Sequence, residues 1–435
     1  MAGFSIREEM SSVEEAPGKT WFWELEAAVI DAGRCIQCGA CVAVCPSDSI
    51  GISGDDLPEL VKMCTGCSLC WDFCPRGGLR YEATWPLIEE TPVTLTPRRK
   101  GNGARRPGDE ASPSNGDVPA GDPASGLTIS GGPASNGLGV VRDTHTARVA
   151  AGMPGAQDGG VVSAILMAAL EAGHLDGVLL ARESEDEPWK GVAHLARTPE
   201  EVAASAGSFY NQTMGLGHLD LGRHDLPPDP RIAVVGTPCE VQAIRAMQAR
   251  PWTWGKSRVD AVVLSIALLC TKSFDYQGLM LRELRDQRGL DLSQVGKVDV
   301  IHGRMIVEDR EGNRLVDEPV RDFHGAALKG CDECADFMGY GADISVGSVG
   351  SDEGYSSVLV RTEPGRAAFE LARDRLEVRD LDSAEPLHKL SGFDKKIALQ
   401  TLSRPFDPDG PLFVEFEEHL RSYGDGDRAP VFRKR

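Results

Sequence analysis

Cys35-Ile-Gln-Cys38-Gly-Ala-Cys41-Val-Ala-Val-Cys45-Pro46 is the stretch from which the rest of the chain can be read. The pattern returns as Cys64-Thr-Gly-Cys67-Ser-Leu-Cys70-Trp-Asp-Phe-Cys74-Pro75. In such runs three closely spaced thiolates wrap one corner of an iron–sulfur cubane, and the fourth, followed by proline, turns away to the other cluster. The ligand sets therefore cross between motifs. Cys35, Cys38, Cys41 and Cys74 form one 4Fe-4S set, and Cys64, Cys67, Cys70 and Cys45 form the second. Zinc also accepts CxxC pairs, but two complete runs of this form are the pattern of a two-cluster bacterial-type ferredoxin. A small α+β ferredoxin-like domain is expected over residues 28–85, behind an N-terminal extension, 1–27. Within and just beyond that extension, TWFWELEAAVI predicts a short helix packing on the cysteine-rich segment.

Outward from the motifs the composition changes abruptly. Residues 101–140 contain ten Gly, five Pro and five Ser and no aromatic residue, too little apolar surface to offset the entropy of ordering. Residues 97–140 are read as a flexible linker between a small unit and a large one, 141–420. In the large unit helix and strand alternate. GGVVSAILMAALEAG predicts a helix opened and closed by glycine, HLDGVLLA and RIAVVG predict strands, TPC turns into the helix CEVQAIRAMQ, and AVVLSIALLC predicts a third buried strand. The alternation argues an α/β core on a mixed, largely parallel sheet. ADISVGSVGSDEGYSSVLVRTE breaks at glycine into shorter, antiparallel strands.

Four cysteines remain of the twelve. Cys270 ends an apolar strand, where a buried hydrophobic cysteine is common. Cys331 and Cys334 form a CxxC pair, and Cys239 lies at a strand-to-helix turn, where a helix N-terminus favours a thiolate. Spacing leaves two readings open: packed cysteines, or a further 4Fe-4S site. Gly159 and Gly160 could cradle a phosphate on backbone N–H groups, although such pairs more often only make a turn. Ser208, Tyr210, Thr237, Lys272 and Ser348 stand in loops at predicted strand ends, where α/β proteins bind ligands.

The chain has 435 residues, 46 Lys+Arg and 66 Asp+Glu, for a net charge of −20. So acidic a surface disfavours nucleic acid and anionic membranes. The longest apolar stretches fall short of the ~20 residues of a spanning helix, and no basic patch precedes an apolar run at the N-terminus. A cytoplasmic protein with no membrane insertion is expected.

Five ordered motifs, DGGVVSAIL, VVGTPCEVQAIR, LLCTKSF, KGCDEC and ADISVGSVGSDEGYSSVLVRT, together resemble the coenzyme F420 hydrogenase/dehydrogenase beta-subunit family over roughly residues 141–400. With the ferredoxin domain in front, the whole is similar to the input module of F420H2 dehydrogenases. The resemblance implies FAD, one 4Fe-4S cluster held by Cys239, Cys270, Cys331 and Cys334, and coenzyme F420 as substrate. It implies hydride exchange between F420 and FAD, and single electrons passed to or from a protein partner: a ferredoxin, hydrogenase, dehydrogenase or membrane-complex subunit. Relatives that reduce hydroxymethyl chlorophyll share much of this core, so a reductase of another organic substrate is one alternative, and a non-catalytic electron-relay subunit is another. The F420 tail is a phosphate plus oligoglutamate, for which Lys272, Arg304 and Lys329 are candidate contacts.

Overall fold

The computed structural model describes residues 21–77, 79, 138–249 and 255–401. All but the last three residues of the expected linker lie outside this set, as do most of the N-terminal extension and everything beyond residue 401. Helix α1 (Phe22–Leu25) continues as a π-turn over Glu26–Ile30, where the aromatic-apolar patch predicts a helix. Each cysteine motif then closes in a short helix, α2 (Ala40–Val44) and α3 (Leu69–Asp72). Between them lies a two-stranded antiparallel hairpin, β1 (Ile50–Ile52) and β2 (Pro58–Leu60). Gly39 and Ser68, at the two helix N-termini, both take left-handed φ values of 79° and 71°. The two motifs thus repeat in backbone as well as in spacing.

The large unit is built on eight strands in the order β13-β3-β12-β11-β7-β6-β4-β5. At its centre β4 (Gly177–Glu183), β6 (Ile232–Gly236), β7 (Val262–Leu268) and β11 (Ile344–Gly347) run parallel. Antiparallel strands flank them: β5 (Gly191–Ala196) on one side, β12 (Ser356–Val360), β3 (Asp143–Val149) and β13 (Leu376–Asp380) on the other. This is the mixed sheet expected, and the glycine-broken stretch does pair with itself as β11 and β12. Alternate residues feed opposite faces. Ala233 joins α4 (Val161–Glu171) and α7 (Glu363–Ala372) on one face. Ile232 and Val234 join α6 (Pro238–Ala249) on the other.

That second face also carries the ferredoxin unit. One hydrophobic cluster runs from Phe22, Leu25 and Trp71 through Cys38 and Cys45 to Ile244, Met247 and Val262. The two units are therefore joined by a common core. A separate three-stranded antiparallel sheet, β8 (Val295–Ile301), β9 (Arg304–Asp309) and β10 (Arg314–Pro319), packs with the π-helix Gln277–Gln287 around Leu284, Met305 and Phe323. It is an addition to the expected architecture.

Candidate metal centre

All twelve cysteines are free thiols. A cavity of about 280 Å³ is lined by Cys45, Cys64, Cys67 and Cys70. A second, of about 360 Å³, is lined by Cys35, Cys38, Cys41 and Cys74 with Arg76 and apolar side chains. The lining of each cavity groups the cysteines as in one of the expected crossed sets. Among the described residues no three His, Cys, Asp or Glu side chains draw together as around a single metal ion; the thiols surround cavities instead. Burial pushes the Cys70 thiol well up, and the charges of Cys41, Cys64, Cys67 and Cys45 add to it. Burial likewise lifts Cys35 to about 12, opposed by the Gln37 N–H and raised further by Cys74. The buried thiols of Cys38, Cys41 and Cys70 resist ionisation unless a cation takes up their charge, which is the chemistry of cluster ligands.

The third group is assembled by the sheet. Cys270 follows β7, Cys239 opens α6, and Cys331 and Cys334 occupy and follow the 3-10 turn Lys329–Glu333. Burial raises Cys270 first, and then the charges of Cys331, Cys239 and Cys334 do. The Ser273 N–H donates to the Cys331 sulfur at 3.5 Å, and the Thr237 hydroxyl lies 3.1 Å from Cys239 Sγ. The helix N-terminus does not make Cys239 a ready thiolate, as its position suggests. Its thiol is raised, because burial outweighs both the Arg76 charge and the Thr237 contact.

The groups lie in series. The carbonyl of Gly330, next to Cys331, accepts from Arg76 Nε, and Arg76 lines the cavity of the Cys35 set, so the third group adjoins that set. Cys41 in turn acts on Cys70, so that set faces the Cys64 set. Two arginines stand where the first two of these groups meet. Arg34 grips Glu333 with Nε and Nη2 at 2.7 and 2.9 Å, and donates to the carbonyls of Ala28 and Arg76. Arg76, directly after Cys74-Pro75, donates to the carbonyls of Gly330 at 2.5 Å and Pro75 at 2.9 Å. Burial alone pulls a guanidinium down, as it pulls Arg361 to about 10. Arg76 moves upward instead, because Cys334, Cys239, Glu333 and Cys331 together outweigh the same burial. Neither arginine nor Glu333 announces itself in the sequence; a basic residue immediately following Cys-Pro is the one available signal.

The other expected contacts are dispersed. Thr237, Lys272 and Ser348 stand beyond the ends of β6, β7 and β11, on the carboxyl edge of the parallel strands. Thr237 is reached by the buried Gln212, whose amide donates to Thr237 Oγ1 at 3.2 Å and to Ser273 Oγ at 2.8 Å. Gln212 also lines a polar pocket of about 300 Å³ with Gln37, Asp56, Lys190, Asn211 and Tyr276. Ser208 lies in the loop leading to Tyr210, whose hydroxyl donates to Asp299 Oδ1 and accepts from the Val300 N–H. Gly159 and Gly160 are accounted for by packing. A Cβ on Gly159 would lie 2.5 Å from the Ala147 carbonyl oxygen, and Gly160 has φ +69° against Met153. Lys272 is paired with Asp332, Arg304 is paired with Asp317 on the separate sheet, and Lys329 is exposed beside Gly33. The Leu328 N–H donates to the Ser273 carbonyl, so Lys272 and Lys329 lie on neighbouring segments, while Arg304 stands on the separate sheet.

A sheet whose carboxyl edge gathers cysteines against a two-cluster ferredoxin unit defines an iron–sulfur oxidoreductase class. Residues 144–220 and 229–384 match the N-terminal and C-terminal parts of the coenzyme F420 hydrogenase/dehydrogenase beta subunit, and residues 28–80 match a 4Fe-4S dicluster domain. The beta subunit of coenzyme F420 hydrogenase from Methanococcus voltae is 33% identical over 249 residues, covering 56% of this chain and 85% of that one. A subunit of the F420H2 dehydrogenase from Methanosarcina mazei is 26% identical over 366 residues, covering 81% and 86%. A chain in the structure of the F420-reducing NiFe hydrogenase complex from Methanosarcina barkeri matches with a TM-score of 0.57 and 28% identity, covering 61% and 93%. The chain belongs to the coenzyme F420 hydrogenase/dehydrogenase beta-subunit family.

Proposed function

We propose that this protein is a coenzyme F420-dependent oxidoreductase. It exchanges hydride with F420 through bound FAD and moves single electrons through three 4Fe-4S clusters to or from a protein partner. The observation that carries the reading is the third cysteine group: four thiols from three distant segments meet beside a ferredoxin set. When bound, a flavin supplies the conversion between a two-electron hydride and single electrons.

Contacts among the chain's own residues support an order for these functions. Gln212 ties the polar pocket to Thr237 and Ser273, and these two touch Cys239 and Cys331. Gln212, Asn211 and Tyr276 would be among the residues that contact a flavin bound on this side of the third group. The Cys35 set follows, and the Cys64 set lies at the far end. There Cys67 is exposed, and Met63 and Val61 beside it are 83% and 55% exposed, a surface fit for a one-electron protein partner. Among the described residues no helix is long and apolar enough to cross a membrane.

The test is anaerobic mixing of the iron- and flavin-loaded protein with F420H2 and a dye acceptor. Deazaflavin oxidation at a rate proportional to protein is expected. Turnover of another organic substrate with no response to F420 would favour the reductase alternative, and no turnover with either would favour the relay subunit.

A further inference from the structure

We infer that Arg76 is the fixed counter-charge of the third cysteine group and sets the one-electron equilibrium of the cluster held there. The inference rests on the three-cluster reading above. Arg76 is 3% exposed, and among the described residues it has no carboxylate bonded to it. Its hydrogen bonds go to main-chain carbonyls, which satisfy its N–H groups without neutralising it. Glu333, a carboxylate that acts on it, is already engaged by both Nε and Nη2 of Arg34. A guanidinium stays protonated at any working pH, and burying such a charge without an opposite one is costly. Its Nε bonds the carbonyl of Gly330, next to Cys331, and its side chain lines the cavity of the Cys35 set, so thiols of two cysteine groups surround it. Ligated to a cluster they become thiolates, and the cluster with its ligands is an anion. Arg76 and that anion each supply what the other lacks.

The consequence is electronic. When the cluster takes one electron, its unit gains one negative charge, and no bond need form or break. A buried positive charge beside it favours the reduced form. The same guanidinium follows Cys74, a ligand of the next set, so it lies between the two and favours an electron arriving at either.

The test uses the full protein as purified anaerobically, with Arg76→Gln, Arg76→Met and Arg76→Lys. Iron is counted, and the third cluster is titrated potentiometrically by electron paramagnetic resonance, its signal being the one absent from Cys270→Ser. In Arg76→Gln or Arg76→Met the equilibrium should shift at least tenfold toward the oxidised cluster, about 59 mV for one electron. Arg76→Lys should stay within about threefold of wild type. Loss of the third cluster's iron from both neutral variants with retention in Arg76→Lys supports the inference equally. A fully loaded neutral variant with unchanged equilibrium overturns it, as does an Arg76→Lys variant that shifts, or loses iron, as far as the neutral ones. Wild-type protein with iron near eight and no third signal would overturn the three-cluster reading itself, which is a distinguishable result.

Discussion

Arg34 and Glu333 are 299 positions apart in the chain and form a fully buried, two-point ion pair. Cutting one side of such a pair takes two charge-assisted hydrogen bonds from a buried carboxylate, at a cost of about 3–5 kcal/mol. Arg34→Met should therefore lower the free energy of unfolding by that amount in urea titrations of the loaded protein. A loss under 1 kcal/mol would mean that water reaches Glu333. Asp158 makes a pH-dependent contribution of the opposite kind. Burial first, then the charges of Asp299 and Glu353, lift its carboxyl to about 6, with Lys297 opposing. Between the ordinary value of 3.8 and about 6 the folded state holds the extra proton, so stability falls as pH rises through that interval and the penalty is constant above it. Asp158→Asn removes the penalty. Its thermal midpoint should gain on wild type more at pH 7 than at pH 5, and a pH-independent difference would contradict the assignment. None of these three residues was legible in the sequence. A lone acid or base carries no sign of its partner, whereas the eight ferredoxin cysteines carry theirs in their spacing.

Elements meet here through glycines at close approach. A Cβ on Gly330 would lie 2.1 Å from the Arg34 carbonyl oxygen, so the turn that bears Cys331 can touch the strand of chain before Cys35 only without a side chain. Gly330→Ala should force the two apart, costing about 1–3 kcal/mol and slowing electron passage between the third group and the Cys35 set in stopped-flow traces. Gly325→Ala, with open space around the added carbon, should change neither. The strands themselves were readable: RIAVVG and AVVLSIALLC are β6 and β7, buried on both faces, and their apolar runs say so. The sheet β8–β10 was not, because VGKVDVI and RLVDEP mix charge with apolar residues, and its one apolar face packs on a small separate cluster that includes Leu279, Leu284 and Phe323. The glycine pair 159–160 shows the converse, since a phosphate turn and a tight crossing of strands require the same two residues.

At the scale of the whole molecule, a Gly/Pro/Ser-rich stretch in sequence did not mean two independent bodies in space. The shared cluster around Trp71 and Ile244, the Arg34–Glu333 pair, and the Met214 and Leu216 N–H groups donating to the carbonyls of Gln37 and Cys38 hold one unit to the other. An engineered protease site within residues 101–137 should accordingly yield two fragments that still elute together on gel filtration, and separate elution would show the common core too weak to hold them. The same seam puts the three cysteine groups in series, which is the central claim. It is tested most directly by mixing anaerobic protein with F420H2 and following deazaflavin absorbance and cluster paramagnetic resonance together, in wild type and in Cys270→Ser. Wild type should carry about twelve irons per chain, oxidise F420H2 and show reduced ferredoxin clusters. The variant should carry about eight, still reduce its flavin, and leave the ferredoxin clusters oxidised on the same timescale. Ferredoxin clusters reduced as fast in the variant as in wild type, with iron unchanged between them, would contradict it.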